Sequence, residues 1–109
     1  MARIAVTLGD PAGIGPEVVA GALAAVEPAL ADRVIVFGHH DLLHAAARVV
    51  GVSVPTSVEI RDVGGLPTST PGQPDAASGA AQVAYLRAAV DALRDGTVTA
   101  LATAPISKT

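Results

Sequence analysis

The chain has no cysteine and no tryptophan, and only one phenylalanine, one tyrosine, one methionine and one lysine. Each shortage excludes something. Without cysteine there is no disulfide, no thiolate nucleophile and no thiolate metal site. A net charge of -3, with no cluster of lysine and arginine, leaves no electrostatic footprint for nucleic acid. No apolar run reaches the roughly 18 residues that a membrane span needs, so no membrane partner is expected. The first residues hold a strand pattern instead of a basic segment followed by a signal-like apolar stretch, and a cytoplasmic location is the expectation. With so few aromatics, the hydrophobic 50% of the chain is carried largely by alanine and valine. Such a core packs closely, as helices do on a sheet. At 109 residues one domain, or part of one, is expected.

What is present alternates. Arg3 to Leu8 is a short β-branched run and reads as a strand. Pro16 to Val26 reads as a helix, with Val18, Val19, Ala22, Leu23 and Val26 on one apolar stripe. A second strand covers Arg33 to Phe37 and closes at Gly38. A second helix covers Asp41 to Val50, with Asp41 as cap or first-turn acid and Gly51 as the stop. Val58 to Val63 suggests a third strand, and residues 64 to 74 are rich in turn-forming residues and read as an exposed loop. Ser78 to Arg94 predicts a helix whose Val83, Leu86, Val90 and Leu93 recur at helical spacing. Val98 to Thr103 is a fourth strand, stopped by Pro105. Strands alternating with helices imply α/β architecture, a largely parallel sheet in a three-layer αβα arrangement, with right-handed crossovers.

The segment most charged with meaning is Gly9-Asp10-Pro11-Ala12-Gly13-Ile14-Gly15-Pro16-Glu17. It follows the first strand directly and opens the first helix. Glycine and proline there force a tight turn, and Gly13 and Gly15 are the positions expected to need a positive φ or a close backbone approach. Pro16 suits a helix start, and Glu17 favours the positive end of the helix dipole. Unpaired backbone N–H groups then collect at a strand's C-terminal end, a common seat for an anion. The glycine spacing is neither the dinucleotide fingerprint nor a P-loop. A ligand-free glycine connection therefore stands beside the functional reading. For Asp10 the alternatives are a carboxylate capping its own loop and a residue lining a crevice. For Lys108 they are a solvated lysine and a cation facing a phosphate or carboxylate. If strands one and four are neighbours, the loops that follow them share one crevice.

His39, His40 and His44 follow the second strand. His40 and His44 lie one helical turn apart with Asp41 between them, a spacing compatible with zinc. An exposed helix start with polar histidines is the plainer reading.

Two blocks resemble a known family. The Gly9–Glu17 loop resembles the N-terminal signature of the 4-hydroxythreonine-4-phosphate dehydrogenases of pyridoxine biosynthesis. It is similar, less closely, to the Gly-Asp-Gly-Ile-Gly-Pro-Glu loop of isocitrate and isopropylmalate dehydrogenases. The closing run Ala102-Thr103-Ala104-Pro105-Ile106-Ser107-Lys108 resembles the same family's Val-Thr-Ala-Pro-Ile-x-Lys block, with Ser107 at the variable position. Members are about three times this long, so the resemblance implies the N-terminal portion of an isocitrate/isopropylmalate dehydrogenase-like fold, whether as a fragment or as a truncated product.

The implied activity is oxidation, with decarboxylation, of 4-phosphohydroxy-L-threonine, using NAD or NADP and a divalent metal (zinc, magnesium or cobalt). The resemblance places Gly9, Asp10, Gly13, Ile14, Gly15 and Lys108 along the substrate and cofactor crevice. It puts the metal-binding histidines and a His-Thr substrate pair beyond Thr109, so this chain alone is expected to be inactive and to name no catalytic group of its own. Full-length relatives are implied to be homodimers. Relatives acting on four-carbon sugar-acid phosphates or aromatic dihydrodiols are alternatives, as is a non-catalytic α/β anion-binding remnant or partner subunit.

Overall fold

The computed structural model describes residues 2 to 64 and 76 to 104. Four strands are seen: β1 (Ile4–Thr7), β2 (Val34–Gly38), β3 (Glu59–Asp62) and β4 (Ala100–Thr103). The helices are α1 (Gly15–Ala25), α2 (Pro28–Ala31), α3 (His40–Val50) and α4 (Ala76–Arg94). All the strand pairs are parallel, and the sheet order is β3-β2-β1-β4. The expected α/β architecture is therefore present, with helices on both faces. Ile4 sits opposite Val34 on one side and Ala100 on the other.

Strand alternation divides the core in two. On one face Val34 and Val36 pack with Val19 and Leu23 of α1 and Leu43 and Ala47 of α3. On the other, Ala5, Ile35 and Phe37 pack with Ala89 and Ala92 of α4. β2 is buried along its whole length, as a central strand of a parallel sheet should be.

The helix boundaries differ from the sequence reading in instructive places. α2 goes unnoticed in the sequence because it is a single turn, opened by Pro28 and too short for any periodicity. His39 occupies the N-cap position of α3 without a side-chain hydrogen bond to the first turn, and of the two roles expected for Asp41 it takes that of first-turn acid. Gly51 ends α3 at φ 77°, donating its N–H to Ala47 and Arg48 carbonyls, as expected of a C-terminal glycine. The stripe assigned to the last helix is on the wrong face. Val83 is 51% exposed and Leu93 is exposed as well, whereas Tyr85, Ala89 and Ala92 are buried. A helix lying close on a sheet favours small residues at the contact, so size misled where spacing did not. In α1 the stripe holds for Val19 and Leu23, but Val18 is exposed. The loop expected at 64 to 74 lies outside the described residues except for Gly64.

The outer strand β3 carries an ion-pair cluster. Glu59 accepts from Arg3 Nη2 at 2.7 Å and from Arg61 Nε. These hydrogen bonds, Arg3 foremost, hold the Glu59 carboxyl below its usual 4.5. A depressed carboxylate stabilises the fold above its unfolded pKa, and that contribution disappears as pH falls through the lower, folded value. The groups are over one-third exposed, so solvent screens the pair. Glu59→Gln should lower stability by at most about 1 kcal/mol near neutral pH, with the difference from wild type vanishing in acid. Urea titrations at several pH values check this, and an unchanged difference in acid would contradict it.

Candidate functional site

The connections from β1 through β2 to β3 step in one direction, and α1 and α3 pack together on one face. The connection from β3 to β4 runs back the other way, and α4 packs on β1, β2 and β4 from the opposite face. The direction reverses between β1 and β4. In open α/β sheets ligands bind outside the carboxyl ends of the strands at such a reversal. The Gly9–Glu17 loop leaves the sheet there after β1, and Thr103 and Ala104, where the closing block begins, lie at the neighbouring end of β4.

The loop geometry is specific. Gly9 adopts φ 70°, the left-handed region that favours glycine. Of the two reasons expected for Gly13 and Gly15, a positive φ holds at neither, and close backbone approach holds at Gly15 alone. Gly15 is required for closeness: a Cβ there would collide with the Leu8 carbonyl oxygen and would sit 3.5 Å from the Ala104 Cβ. This closeness ties the start of α1 to the ends of β1 and β4. Gly13 has no such constraint, since an added Cβ would meet Asp10 Cβ at an ordinary 3.5 Å.

Asp10 is only 3% exposed. Its Oδ1 accepts the Ala12 N–H at 2.9 Å, and its carbonyl accepts the Gly13 N–H at 3.0 Å. The side chain thus builds the turn, which is the loop-capping alternative for this residue. Ile14 is the exposed N-cap of α1 and provides no side-chain hydrogen bond to the first turn. Pro16 has no N–H to satisfy, and Glu17 lies in the first turn. Pro105 and Lys108 of the closing block lie outside the described residues, so the cation assigned to this crevice has no described position.

One polar pair at the same end of the sheet escaped the sequence reading. His39 follows β2 and, unlike the exposed histidine expected there, is only 3% exposed. Its Nε2 lies 3.1 Å from the Gly64 carbonyl, and its Nδ1 lies 2.6 Å from the Tyr85 hydroxyl. A carbonyl only accepts, so in the neutral ring Nε2 carries the hydrogen and Nδ1 accepts from Tyr85. Burial, with a smaller contribution from Asp62, pushes the Tyr85 pKa well above its usual 10, so the hydroxyl keeps its proton. The pair joins β2, α4 and the segment after β3. The one signal in the sequence is that the only tyrosine interrupts an alanine-rich helix; nothing local names a partner 46 residues away. Tyr85→Phe leaves Nδ1 buried without a donor and should destabilise by about 1–3 kcal/mol. Denaturant unfolding measures the loss, and a neutral result would show that water replaces the hydroxyl.

His40 and His44 stack with ring centroids 4.1 Å apart. His40 Nδ1 is 3.3 Å from Asp41 Oδ1, and the His40 N–H donates to Asp62 Oδ1 at 2.8 Å. Among the described residues, no group of three or more histidine, aspartate or glutamate side chains could hold a metal ion. None of the described helices is long and apolar enough to cross a membrane.

Comparison with known proteins agrees with this geometry. The chain is 41% identical over 115 aligned residues to the 4-hydroxythreonine-4-phosphate dehydrogenase of Synechococcus sp. (strain RCC307), covering 100% of this chain and 34% of that enzyme. The crystal structure of a 4-hydroxythreonine-4-phosphate dehydrogenase from Burkholderia phymatum superposes with a TM-score of 0.85 at 29% identity, over 99% of this chain and 37% of that one. A terephthalate 1,2-cis-dihydrodiol dehydrogenase from Burkholderia xenovorans LB400 superposes with a TM-score of 0.71 at 34% identity, over 92% of this chain and 32% of that one. The chain thus spans about a third of the length of the curated relatives it matches. The family model of the pyridoxal phosphate biosynthetic protein PdxA matches residues 26–109, most of the sequence, and the chain belongs to that family.

Proposed function

We propose that this fold forms one wall of the active site of a dehydrogenase that oxidises 4-phosphohydroxy-L-threonine with NAD or NADP. The observation that carries the reading is the sheet reversal between β1 and β4, where the Gly9–Glu17 loop leaves β1 beside the Thr103–Ala104 start of the closing block. Gly9 and Asp10 shape the loop, and Gly15 brings the start of α1 against the strand ends. No side chain caps the first turn of α1, so the N–H groups of Gly15 and Glu17 suit an anionic group of substrate or cofactor. Gly13 and Ile14 form the exposed lip of the same loop. The family resemblance assigns Lys108, which lies outside the described residues, as a cation for such an anionic group. A nicotinamide, when bound, supplies the hydride acceptor; the residues of this chain bind and orient. The divalent metal of the proposed reaction does not fit the described residues, which offer no ligand cluster. No step is assigned through it. A cytoplasmic, homodimeric enzyme is part of the same proposal.

The dihydrodiol dehydrogenase neighbour supports a second reading, in which the substrate is an aromatic dihydrodiol. The test replaces the matching third of the Synechococcus enzyme with this chain and follows NADH or NADPH absorbance with added Mg2+, Zn2+ or Co2+. Turnover of 4-phosphohydroxy-L-threonine is expected. A folded chimera that turns over only a dihydrodiol favours the second reading, and one inactive on both overturns the assignment.

A further inference from the structure

Unlike His39, His40 and His44 are not buried: His40 is exposed and His44 half-buried. They stand one turn apart at the start of α3, with ring centroids 4.1 Å apart and 32° between the ring planes. Both line a cleft of about 310 Å³ together with Val54, Thr56, Val58 and Ile60. The cleft lies beside β3, at the opposite edge of the sheet from β4. The helix start is held in place there, because the His40 N–H donates to Asp62 Oδ1 at 2.8 Å and so ties α3 to β3.

Asp41 decides which ring nitrogen of His40 is free. Nδ1 lies 3.3 Å from Asp41 Oδ1. An ionised carboxylate only accepts, so in the neutral ring Nδ1 carries the hydrogen and Nε2 keeps its lone pair. A carboxylate behind the far nitrogen is how metal-binding histidines are commonly oriented, and it raises the basicity of the ligating nitrogen. Two imidazole nitrogens at about 2.0–2.1 Å from one zinc ion stand no more than about 4 Å apart. Rings with centroids 4.1 Å apart reach that by side-chain rotation alone. The positive end of the α3 dipole opposes a cation at this place, and the carboxylates of Asp41 and Asp62 at the same helix start offset it. Imidazole suits zinc, copper and nickel, whereas magnesium demands oxygen donors.

We infer that His40 and His44 form an open, two-histidine site for one zinc-class cation, with Asp41 orienting His40 and water filling the remaining positions on the side of the β3 cleft. Two protein ligands are fewer than a closed structural site has, and fewer than a catalytic metal is usually given. The site is therefore distinct from the divalent metal of the proposed reaction, for which the described residues offer no cluster. The inference rests on neither the family nor the substrate reading.

The chain has three histidines and no cysteine, which makes the test direct. The untagged chain is titrated with Zn2+ against a chromophoric zinc indicator. Histidine acylation by diethyl pyrocarbonate is then mapped by mass spectrometry with and without Zn2+. One zinc should bind per chain, and His40 and His44 should acylate about tenfold more slowly, or less, once it is bound. His39, which is buried, should not change. His40→Gln and His44→Gln should each weaken binding by about tenfold or more, and Asp41→Ala by about tenfold. All three positions lie outside the buried core, so the variants should keep the circular dichroism of the parent. Asp91→Asn, an exposed carboxylate on α4, should bind as the parent does. Excess Mg2+ should not displace the zinc. Binding that withstands any one of the three substitutions overturns the inference. So does displacement by Mg2+, or one zinc per two chains, which would place the ion between molecules. Absence of zinc binding overturns it as well, whatever the chimera's turnover.

Discussion

Replacing Gly15 with valine should destabilise the fold by about 3 kcal/mol or more, well beyond an ordinary surface change. The cause is a collision and not a dihedral preference, since a Cβ at this position would overlap the Leu8 carbonyl oxygen. That oxygen belongs to the backbone at the end of the central strand β1 and cannot swing aside as a side chain would. Relief requires α1 to move away from the sheet, which opens the Val19 and Leu23 contacts with Val34 and Val36. Even Gly15→Ala should show most of the loss, because the Cβ itself is the offending atom. Gly13→Ala should stay within about 0.5 kcal/mol of wild type, as unconstrained surface changes do. Gly9→Ala should fall between them, at about 1–2 kcal/mol, from its left-handed φ alone. Thermal and urea unfolding of the four proteins in the chimeric enzyme gives the ranking. Equal stability of the Gly15 and Gly13 variants would show that α1 does not approach β1 this closely.

The isolated chain is expected to self-associate and not to run as a stable monomer. β4 leaves one edge of its backbone unpaired among the described residues, and an apolar groove between it and α1 adds aliphatic surface. Short, uncharged edge strands of this kind recruit other chains. β2, which in the sequence looks equally prone, is protected because it lies between β1 and β3 and is buried throughout. The hazard is therefore confined to one edge. Size-exclusion chromatography with light scattering should show mixed oligomers that resolve when the edge is charged by Ala102→Lys. A sharp monomer peak with a cooperative melt above about 55 °C, inside the ordinary range for domains, would show that these residues suffice as a domain.

Most of the architecture was open to local reading. The short apolar runs at Ile4–Thr7 and Val34–Phe37, the glycine stop at Gly51 and the proline-led start of α1 are short-range signals, and each element forms where they place it. The two end blocks likewise named the family before any contact was known. What neighbouring residues cannot encode is pairing across the chain. The parallel contact of β1 with β4 joins residues almost a hundred positions apart, and it alone sets the ends of these two strands side by side. The His39–Tyr85 bond is invisible for the same reason. Tertiary packing also reversed one local inference and decided another. It chose the alanine face of α4 over the valine and leucine face, because small residues let the helix lie close on the sheet. Of the two reasons expected for Gly15 it selected the close approach to a carbonyl, and it put the positive φ at Gly9. Sequence by itself determined the order of the strands and the three longer helices and the family; only the folded sheet decided which of those elements meet, because hydrogen-bonded registry and close packing join residues that are remote along the chain.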